Sequence, residues 1–242
     1  MRALRKPAAS KQLIDDLVAG SRILAEHGVL DAYGHISARS DKRSEHFLIS
    51  RSRAPALMTA ADVMELGADS EAVADKRKGF IERYIHGEIY RARPEVMAVV
   101  HSHSPSVIPF GVTRTKLRPI YHMGSFLWSG APVWDIRKVR EENDLLVRDR
   151  PLGEALAGAL GKRNCVLMRG HGMTVVGATV QEAVFRAIYT EMNARLQLQA
   201  AQLEGPIEFL SDEEGRRSTA ANAGTIERPW EVWKKKALGR QA

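Results

Sequence analysis

The stretch Val96-Met97-Ala98-Val99-Val100-His101-Ser102-His103 joins a short apolar run to a His-x-His pair. Five consecutive apolar residues predict a buried strand. On a strand, residues two apart point to the same face, so His101 and His103 project together while Ser102 points the other way. Neutral imidazole is the commonest metal ligand in proteins. The pair therefore indicates a metal site, although two polar histidines ending a strand explain the pattern about equally well.

A third histidine follows another apolar run. The segment Arg169-Gly170-His171-Gly172-Met173 comes directly after Cys165-Val166-Leu167-Met168, which also predicts a strand. The two flanking glycines leave His171 free of neighbouring bulk and allow unusual backbone torsions. Alone, this pattern is more typical of a turn histidine. Beside His101 and His103, it favours a third metal ligand.

Glu82 supplies a candidate carboxylate. It lies in a predicted helix over residues 79–92, on a face that is otherwise partly apolar. A carboxylate in such surroundings needs a partner. Taken alone, Glu82 is better explained as a surface residue paired with Arg83 or His86. Near a metal it would be a ligand or a proton-transfer base.

Strands and helices mix along the chain, which indicates an α/β or α+β fold. No linker, repeat or low-complexity tract divides it, so residues 1–242 are expected to form a single domain, with residues from 205 onward as a polar, irregular tail. Periodicity and turn residues predict strands at 34–39, 47–50, 96–100, 133–136 and 165–168, and helices at 10–27, 79–92, 105–110, 152–160 and 180–204. Residues 59–62 look like a further helix start, Ser10 a helix cap and Gly28 a helix stop.

The composition suits a globular protein, with 44% hydrophobic and 27% charged residues among 242. The net charge of +7 raises the question of nucleic acid. However, the basic clusters 76–78 and 234–236 lack the interleaved aromatic residues of a base-stacking surface. We therefore expect no nucleic-acid partner, and we assign the surplus charge to attraction of an anionic small-molecule substrate.

The chain is also expected to be cytoplasmic and free of the membrane. No apolar run approaches the roughly 18 residues of a membrane helix. The N-terminal segment is basic but has no apolar block after it, unlike a secretory signal. The lone cysteine, Cys165, cannot form an intramolecular disulfide, and its apolar surroundings predict a buried, inert thiol.

Four segments in this order make the chain resemble the class II aldolase/adducin family over about residues 12–205. They are Gly34-His35-Ile36-Ser37-Ala38-Arg39, Glu82 with His86, Val99-Val100-His101-Ser102-His103-Ser104, and Leu167-Met168-Arg169-Gly170-His171-Gly172. The resemblance implies a three-layer α/β/α sandwich with a central, largely antiparallel sheet. It also implies a homo-oligomer, usually a tetramer, with sites at subunit interfaces.

The resemblance assigns roles to the candidate residues as well. His101, His103 and His171 would hold one divalent metal ion per subunit, which the sequence leaves open among zinc, manganese, iron and cobalt. Glu82 would be the acid/base residue that can also touch the metal. A tyrosine from the neighbouring subunit is the proton donor in the family's aldolases, and His122 stands at about that place.

Other departures concern the substrate. Sugar-phosphate aldolases of the family have asparagine where this chain has His35, and two small hydroxyl residues where it has Phe80 and Ile81. Apolar side chains cannot donate hydrogen bonds to a phosphate dianion. The segments 105–112 and 118–123 are more similar to a decarboxylase branch that acts on ortho-hydroxy aromatic or hydroxypyridine carboxylates, such as dihydroxyphthalates.

In that branch the metal would stabilise the enolate that loss of CO₂ leaves, and a retro-aldol cleavage needs the same stabilisation. Glu82 or His122 would then protonate it. His35 with Arg51 or Arg53 would hold a second carboxylate, although a solvated loop explains the arginines equally well. Phe80 would suit an aromatic ring.

The sequence leaves other interpretations open. The main one is an aldolase, epimerase or dehydratase acting on a sugar or hydroxy-keto acid. A non-catalytic domain, as in adducin, is disfavoured because all three histidines are present, and oxygenases built on the same scaffold form a further alternative. Trp230 and Trp233 would be core anchors or a lid, and we favour an anchor at a subunit contact. His27 and His46 are expected to be ordinary polar residues.

Overall fold

A computed structural model describes residues 7–239, so residues 1–6 and 240–242, which include the basic start of the chain, lie outside the described residues. Its centre is a seven-stranded sheet in the order β3-β2-β1-β4-β7-β6-β5. All neighbouring strands are antiparallel except β5 and β6. The strands are β1 (His35–Arg39), β2 (Phe47–Ser50), β3 (Val63–Leu66), β4 (Ala98–Ser102), β5 (Val133–Trp134), β6 (Cys165–Met168) and β7 (Gly172–Gly177).

Helices cover both faces of this sheet. Alternate residues of β4 point to opposite faces, so Val100 and Val99 belong to two separate hydrophobic cores. The Val100 core includes Leu17 of α1 and Val184 of α5, whereas the Val99 core includes Ile85 of α2. The helices are α1 (Lys11–Glu26), α2 (Arg83–Ala92), α3 (Ile108–Val112), α4 (Arg150–Leu160), α5 (Val180–Ala200), α6 (Asp212–Ala223) and α7 (Glu227–Gly239). The predicted three-layer sandwich with a largely antiparallel sheet is confirmed.

Helix α1 follows its sequence pattern closely. The Ser10 side chain accepts a hydrogen bond from the backbone N–H of Leu13, which caps the helix. After the helix ends, Gly28 takes a left-handed conformation at φ 68°. The prediction for residues 79–92 is correct at its end but wrong at its start, because α2 begins at Arg83. Glu82 therefore precedes the first helical turn.

Two strands escaped the sequence analysis. The capping pattern at Thr59 does form, but it starts only a short 3-10 helix, Ala60–Asp62, which passes directly into β3. Strand β7 begins at Gly172, inside the segment we interpreted as a turn. Its first residue lacks a side chain, so the strand pattern is weak where the hairpin reverses.

The expectation of an irregular tail is wrong. Ser211 and Glu214 form a reciprocal capping box that starts α6, and α7 follows it. Trp230 of α7 is 3% exposed and packs in the hydrophobic core of this chain, so the favoured interpretation of a subunit contact is wrong for this residue. Trp233 is partly buried, with its ring 5.1 Å from that of His27.

Two further expectations concern single features. Cys165 is fully buried, as predicted, and burial raises the pKa of its thiol to about 12, which disfavours the reactive thiolate. Among residues 7–239, no helix combines the length and apolar character needed to cross a membrane.

Candidate metal centre

Two adjacent strands bring the histidines together. His101 lies near the end of β4, and it pairs with Thr174 of β7. The tight connection between β6 and β7 carries His171, so that this residue stands at the same end of the sheet. Gly170 has φ 65°, and a Cβ on Gly172 would lie 2.0 Å from the carbonyl oxygen of Ser102. Gly170 therefore permits the left-handed turn, and the absence of a side chain at Gly172 lets the hairpin approach β4 this closely.

Four ligand atoms converge at this end of the sheet. One nitrogen from each of the three histidines and one oxygen of Glu82 all lie within 4.8 Å of one another. Glu82 Oε2 is 3.5 Å from Nε2 of His101 and 3.5 Å from Nε2 of His171. Nε2 of His103 is 3.2 Å from Nε2 of His171. The structure thus brings together the four residues predicted as metal ligands.

The other ring nitrogen of each histidine is held by an acceptor. His101 Nδ1 donates to the carbonyl of Met173 at 3.1 Å, and His171 Nδ1 donates to the carbonyl of Leu145 at 2.8 Å. His103 Nδ1 lies 3.2 Å from Oδ2 of Asp31. These contacts place the protons on Nδ1 and leave the Nε2 lone pairs directed at the shared space, as in histidines that bind metals.

Glu82 is held in the same way. It is 7% exposed, and its Oε1 accepts a hydrogen bond from the backbone N–H of Val147 at 2.9 Å, which leaves Oε2 facing the histidines. Burial by itself would raise the pKa of this carboxyl group. The nearby imidazoles of His101 and His171 outweigh burial and hold the pKa of Glu82 well below its usual range.

One loop supports two of the four ligands. The carbonyl of Leu145 binds His171, and the amide of Val147 binds Glu82. Leu145 has φ 68°, a left-handed conformation that is unfavourable for a branched side chain. Such strain concentrates at functional sites, where the surrounding structure maintains it.

These residues fit a divalent metal ion. His101 Nε2 is buried and has no hydrogen-bond partner among the described residues, which is costly unless a ligand satisfies it. Three imidazole nitrogens with one carboxylate oxygen are a donor set typical of zinc and of other first-row divalent ions. His101, His103, His171 and Glu82 would hold the ion.

His35 lies beside this centre. It pairs with His101 across β1 and β4, and the two ring centroids are 5.2 Å apart. The ring of Phe80 lies 4.4 Å from that of His35. Burial lowers the pKa of His35 well below its ordinary value, with His86 and His101 adding to this effect. The structure thus places two of the predicted substrate-binding residues in contact, next to the predicted ligands.

The other predicted site residues are placed differently. Arg51 directly follows β2, and its Nε lies 2.7 Å from Oδ1 of Asp62. Arg53 binds the same carboxylate at 3.3 Å. His122 is exposed at the start of a 3-10 helix, with its ring 6.1 Å from that of Tyr121. Their roles toward a substrate stay predictions.

Several supporting residues were not found from the sequence. Asp31, Leu145 and Val147 act on the ligands from segments distant in the chain, and the latter two act through backbone atoms that any residue carries. Ser37 and Tyr90 join His86 in a buried hydrogen-bonded chain behind His35. The spacing His86–Tyr90, one helical turn, was the one available signal for a shared face.

The sandwich and its three-histidine, one-glutamate centre define the class of protein. A profile of the "Class II Aldolase and Adducin N-terminal domain" matches residues 15–198, and the chain belongs to this family.

The chain is also similar to individual proteins. The chain is 40% identical over 240 residues to the decarboxylase tropJ of Talaromyces stipitatus, covering 89% of this chain and 90% of that protein. It is 38% identical over 210 residues to the 3,4-dihydroxyphthalate decarboxylase of a Terrabacter species, covering 82% and 84%. The structure of L-fuculose 1-phosphate aldolase from Glaciozyma antarctica superposes with a TM-score of 0.78 at 23% identity, covering 95% of this chain and 91% of that one. This last likeness supports the shared fold alone.

Proposed function

We propose that this chain is a divalent-metal-dependent decarboxylase of an ortho-hydroxy aromatic or hydroxypyridine carboxylate, with a dihydroxyphthalate-like substrate. The observation that carries the proposal is the contact between Phe80 and His35 beside the metal ligands. An aromatic ring and a buried imidazole offer a surface for a flat anionic ring, and Phe80 offers no donor to a phosphate. The relatives named as decarboxylases support this proposal.

A divalent ion at the four ligands would act as a Lewis acid that stabilises negative charge developing on the substrate. The side chains of the chain supply the remaining steps. Phe80 packs against the substrate ring, and His35 binds an anionic oxygen of the substrate. Arg51 or Arg53 would add a charged partner for a second carboxylate if released from Asp62.

In this proposal Glu82 moves a proton. Its low pKa keeps it a carboxylate at neutral pH, and an Oε2 released from the ion would accept the proton of the substrate's ortho hydroxyl. When the bond to the departing carboxylate breaks, CO₂ leaves and the electron pair stays on the ring carbon. Glu82 then returns the proton to that carbon. His122 of a neighbouring subunit is the alternative donor.

Further details belong to the same proposal. The protein would bind one zinc, manganese, iron or cobalt ion per subunit and work as a cytoplasmic enzyme of aromatic-compound catabolism. It would form a single domain and assemble as a homotetramer, with exposed His122 reaching a site across a subunit interface. Its charge of +7 would favour an anionic substrate.

A substrate panel tests the proposal. The protein loaded with Mn²⁺, Co²⁺, Fe²⁺ or Zn²⁺ is incubated with hydroxyphthalates and hydroxypyridine dicarboxylates, and released CO₂ is measured. A hydroxy-keto acid and a sugar phosphate serve as comparison substrates. We expect CO₂ from the aromatic acids. Aldehyde formation from the comparison substrates, with no CO₂ from any aromatic acid, would overturn the proposal in favour of an aldolase.

A further inference from the structure

A buried chain of hydrogen bonds runs from His35 away from the metal centre. His35 Nδ1 lies 2.7 Å from His86 Nε2, and His86 Nδ1 lies 2.6 Å from Ser37 Oγ. Ser37 Oγ in turn lies 2.7 Å from the hydroxyl oxygen of Tyr90. All four side chains are at most 5% exposed, so water cannot readily replace a missing partner. The proposed decarboxylation steps do not use these hydrogen bonds.

Two proton arrangements are compatible with these distances when both imidazoles are neutral. In the first, Tyr90 donates to Ser37, Ser37 donates to His86 Nδ1, and His86 Nε2–H donates to His35 Nδ1. In the second, the direction of every hydrogen bond is reversed, and the phenol oxygen of Tyr90 accepts a hydrogen bond from Ser37. In the first arrangement the ring proton of His35 is on Nε2, whereas in the second it is on Nδ1 and Nε2 is unprotonated.

The surroundings of Tyr90 decide between the two. Within residues 7–239, Ser37 Oγ is the only recorded acceptor for the phenol proton. The reversed arrangement would therefore leave a buried hydroxyl proton without an acceptor, which carries the full desolvation penalty of that group. Only the first arrangement gives every donor of this hydrogen-bonded network an acceptor.

We propose that Tyr90, Ser37 and His86 form a positioning relay that keeps the proton of His35 on Nε2, so that His35 donates a hydrogen bond to an anionic oxygen of the substrate. The identity of the substrate rests on the proposed function. No residue within the described part of the chain hydrogen-bonds to His35 Nε2, and Phe80 and His101 flank the same ring. His35 thus presents a fixed donor beside the metal ligands.

The relay orients a proton and does not supply one. Loss of a proton through it would leave a phenolate on Tyr90, and burial raises the pKa of that phenol well above its ordinary value. His86 stays neutral, since burial first and His101 second lower its pKa to about 3. A neutral His86 can accept at Nδ1 and donate at Nε2, as the relay requires.

A spectroscopic experiment tests the relay without any turnover. The zinc-loaded protein is labelled with ¹⁵N-histidine, and long-range proton–nitrogen NMR assigns the protonated nitrogen of His35, which the His35→Gln variant identifies by its missing signals. We expect the wild type to carry the proton on Nε2. The variant Ser37→Ala removes the donor to His86 and should shift His35 toward a mixture of the two tautomers. Tyr90→Phe should shift it in the same direction.

Binding of phthalate, a plain dicarboxylate probe, gives the second readout. We expect Ser37→Ala to weaken phthalate binding by about tenfold, the effect of one hydrogen bond, at unchanged zinc content. Ser50→Ala is the matched control, because Ser50 is also a buried strand serine but its hydroxyl has no partner among residues 7–239. It should leave the tautomer and the affinity as in the wild type.

Two results would overturn the relay: a wild-type His35 with its proton on Nδ1, or a folded Ser37→Ala protein with wild-type tautomer and affinity. Should Ser37→Ala fail to fold, Tyr90→Phe decides the question by the same criteria. Neither readout needs catalysis. A missing CO₂ signal would therefore count against the proposed function alone, and a wrong tautomer would count against the relay alone.

Discussion

Asp31 fixes His103 from outside the sheet. Its Oδ2 lies 3.2 Å from His103 Nδ1, while its Oδ1 accepts hydrogen bonds from the backbone N–H groups of Tyr33 and Gly34. One carboxylate thus joins a predicted metal ligand to the turn that leads into β1, the strand that carries His35. Asp31 therefore links the predicted ligand His103 to the start of the strand that carries the predicted substrate-binding residue His35.

The variant Asp31→Asn should weaken metal binding. Its amide oxygen can still accept hydrogen bonds from Tyr33 and Gly34, but its amide nitrogen cannot accept the hydrogen bond that His103 Nδ1 donates. Loss of such a supporting contact typically lowers metal affinity about 10- to 100-fold. Competition with a chelator measures the affinity. Asp69→Asn is the control, because Asp69 makes the same kind of turn to Glu71 without a histidine. Equal affinity of Asp31→Asn and wild type would contradict this role.

Glu82→Gln should abolish most of the activity. The amide oxygen can keep the hydrogen bond from Val147, so the fold is expected to persist. The negative charge and the proton acceptor are lost, and a general base of this kind contributes about 10²- to 10⁴-fold to the rate. Release of CO₂ is compared at matched metal loading, with exposed Glu204→Gln as the control. A variant that retains more than a tenth of the wild-type rate at equal metal content would argue against Glu82 as the base.

The buried His86 makes stability depend on pH. Its pKa in the folded protein is about 3, against an ordinary value of 6.5. The unfolded chain therefore binds the proton first, and the stability that the neutral form contributes is lost as pH falls from 6.5 toward 3. The free energy of unfolding should fall by up to about 1.4 kcal/mol per pH unit from this one group.

Urea denaturation of the metal-free protein at several pH values across that range measures the slope. His86→Gln removes the titrating group, and its unfolding free energy should fall less steeply with pH than that of the wild type. Other buried histidines keep contributing in both proteins, so the difference between the slopes is the relevant quantity. Parallel slopes would show that His86 does not titrate as described.

The C-terminal helix α7 should contribute directly to stability. Trp230 is 3% exposed within the core, whereas Val232 on the same helix is 51% exposed. Trp230→Ala is expected to lower the free energy of unfolding by about 3–5 kcal/mol, as large core truncations do. Val232→Ala should change it by less than about 0.5 kcal/mol. Chemical denaturation compares the two variants, and similar losses for both would mean that α7 is not anchored through Trp230.

The sequence predicted the parts of the site that depend on local pattern. An apolar run followed by His-x-His is enough to place His101 and His103 at a strand end, and the Gly-His-Gly segment marks His171. The start of α2 was misplaced because residues 79–82 carry no distinctive cap, so the turn that aims Glu82 at the histidines is set by tertiary contacts such as that with Val147.

What the sequence could not give depends on contacts between distant segments. The relay needs β1 beside α2, since Ser37 must meet both His86 and Tyr90. The tail was misjudged because α6 is polar almost throughout and only Gly215 within it is buried. Helix α6 is stabilised by its capping box and by packing against the 3-10 helix His122–Ser129. Hydrophobic periodicity detects neither feature.

The central claim is that CO₂ release depends on a metal ion held by His101, His103, His171 and Glu82. A chelation titration tests this claim most directly. The protein is stripped with a chelator, and CO₂ release from a dihydroxyphthalate is followed as a divalent ion is returned. We predict that release stops on stripping and recovers in proportion to bound ion, saturating at one ion per chain. Release that continues unchanged in the stripped protein, or that recovers without ion bound to the chain, would contradict the account.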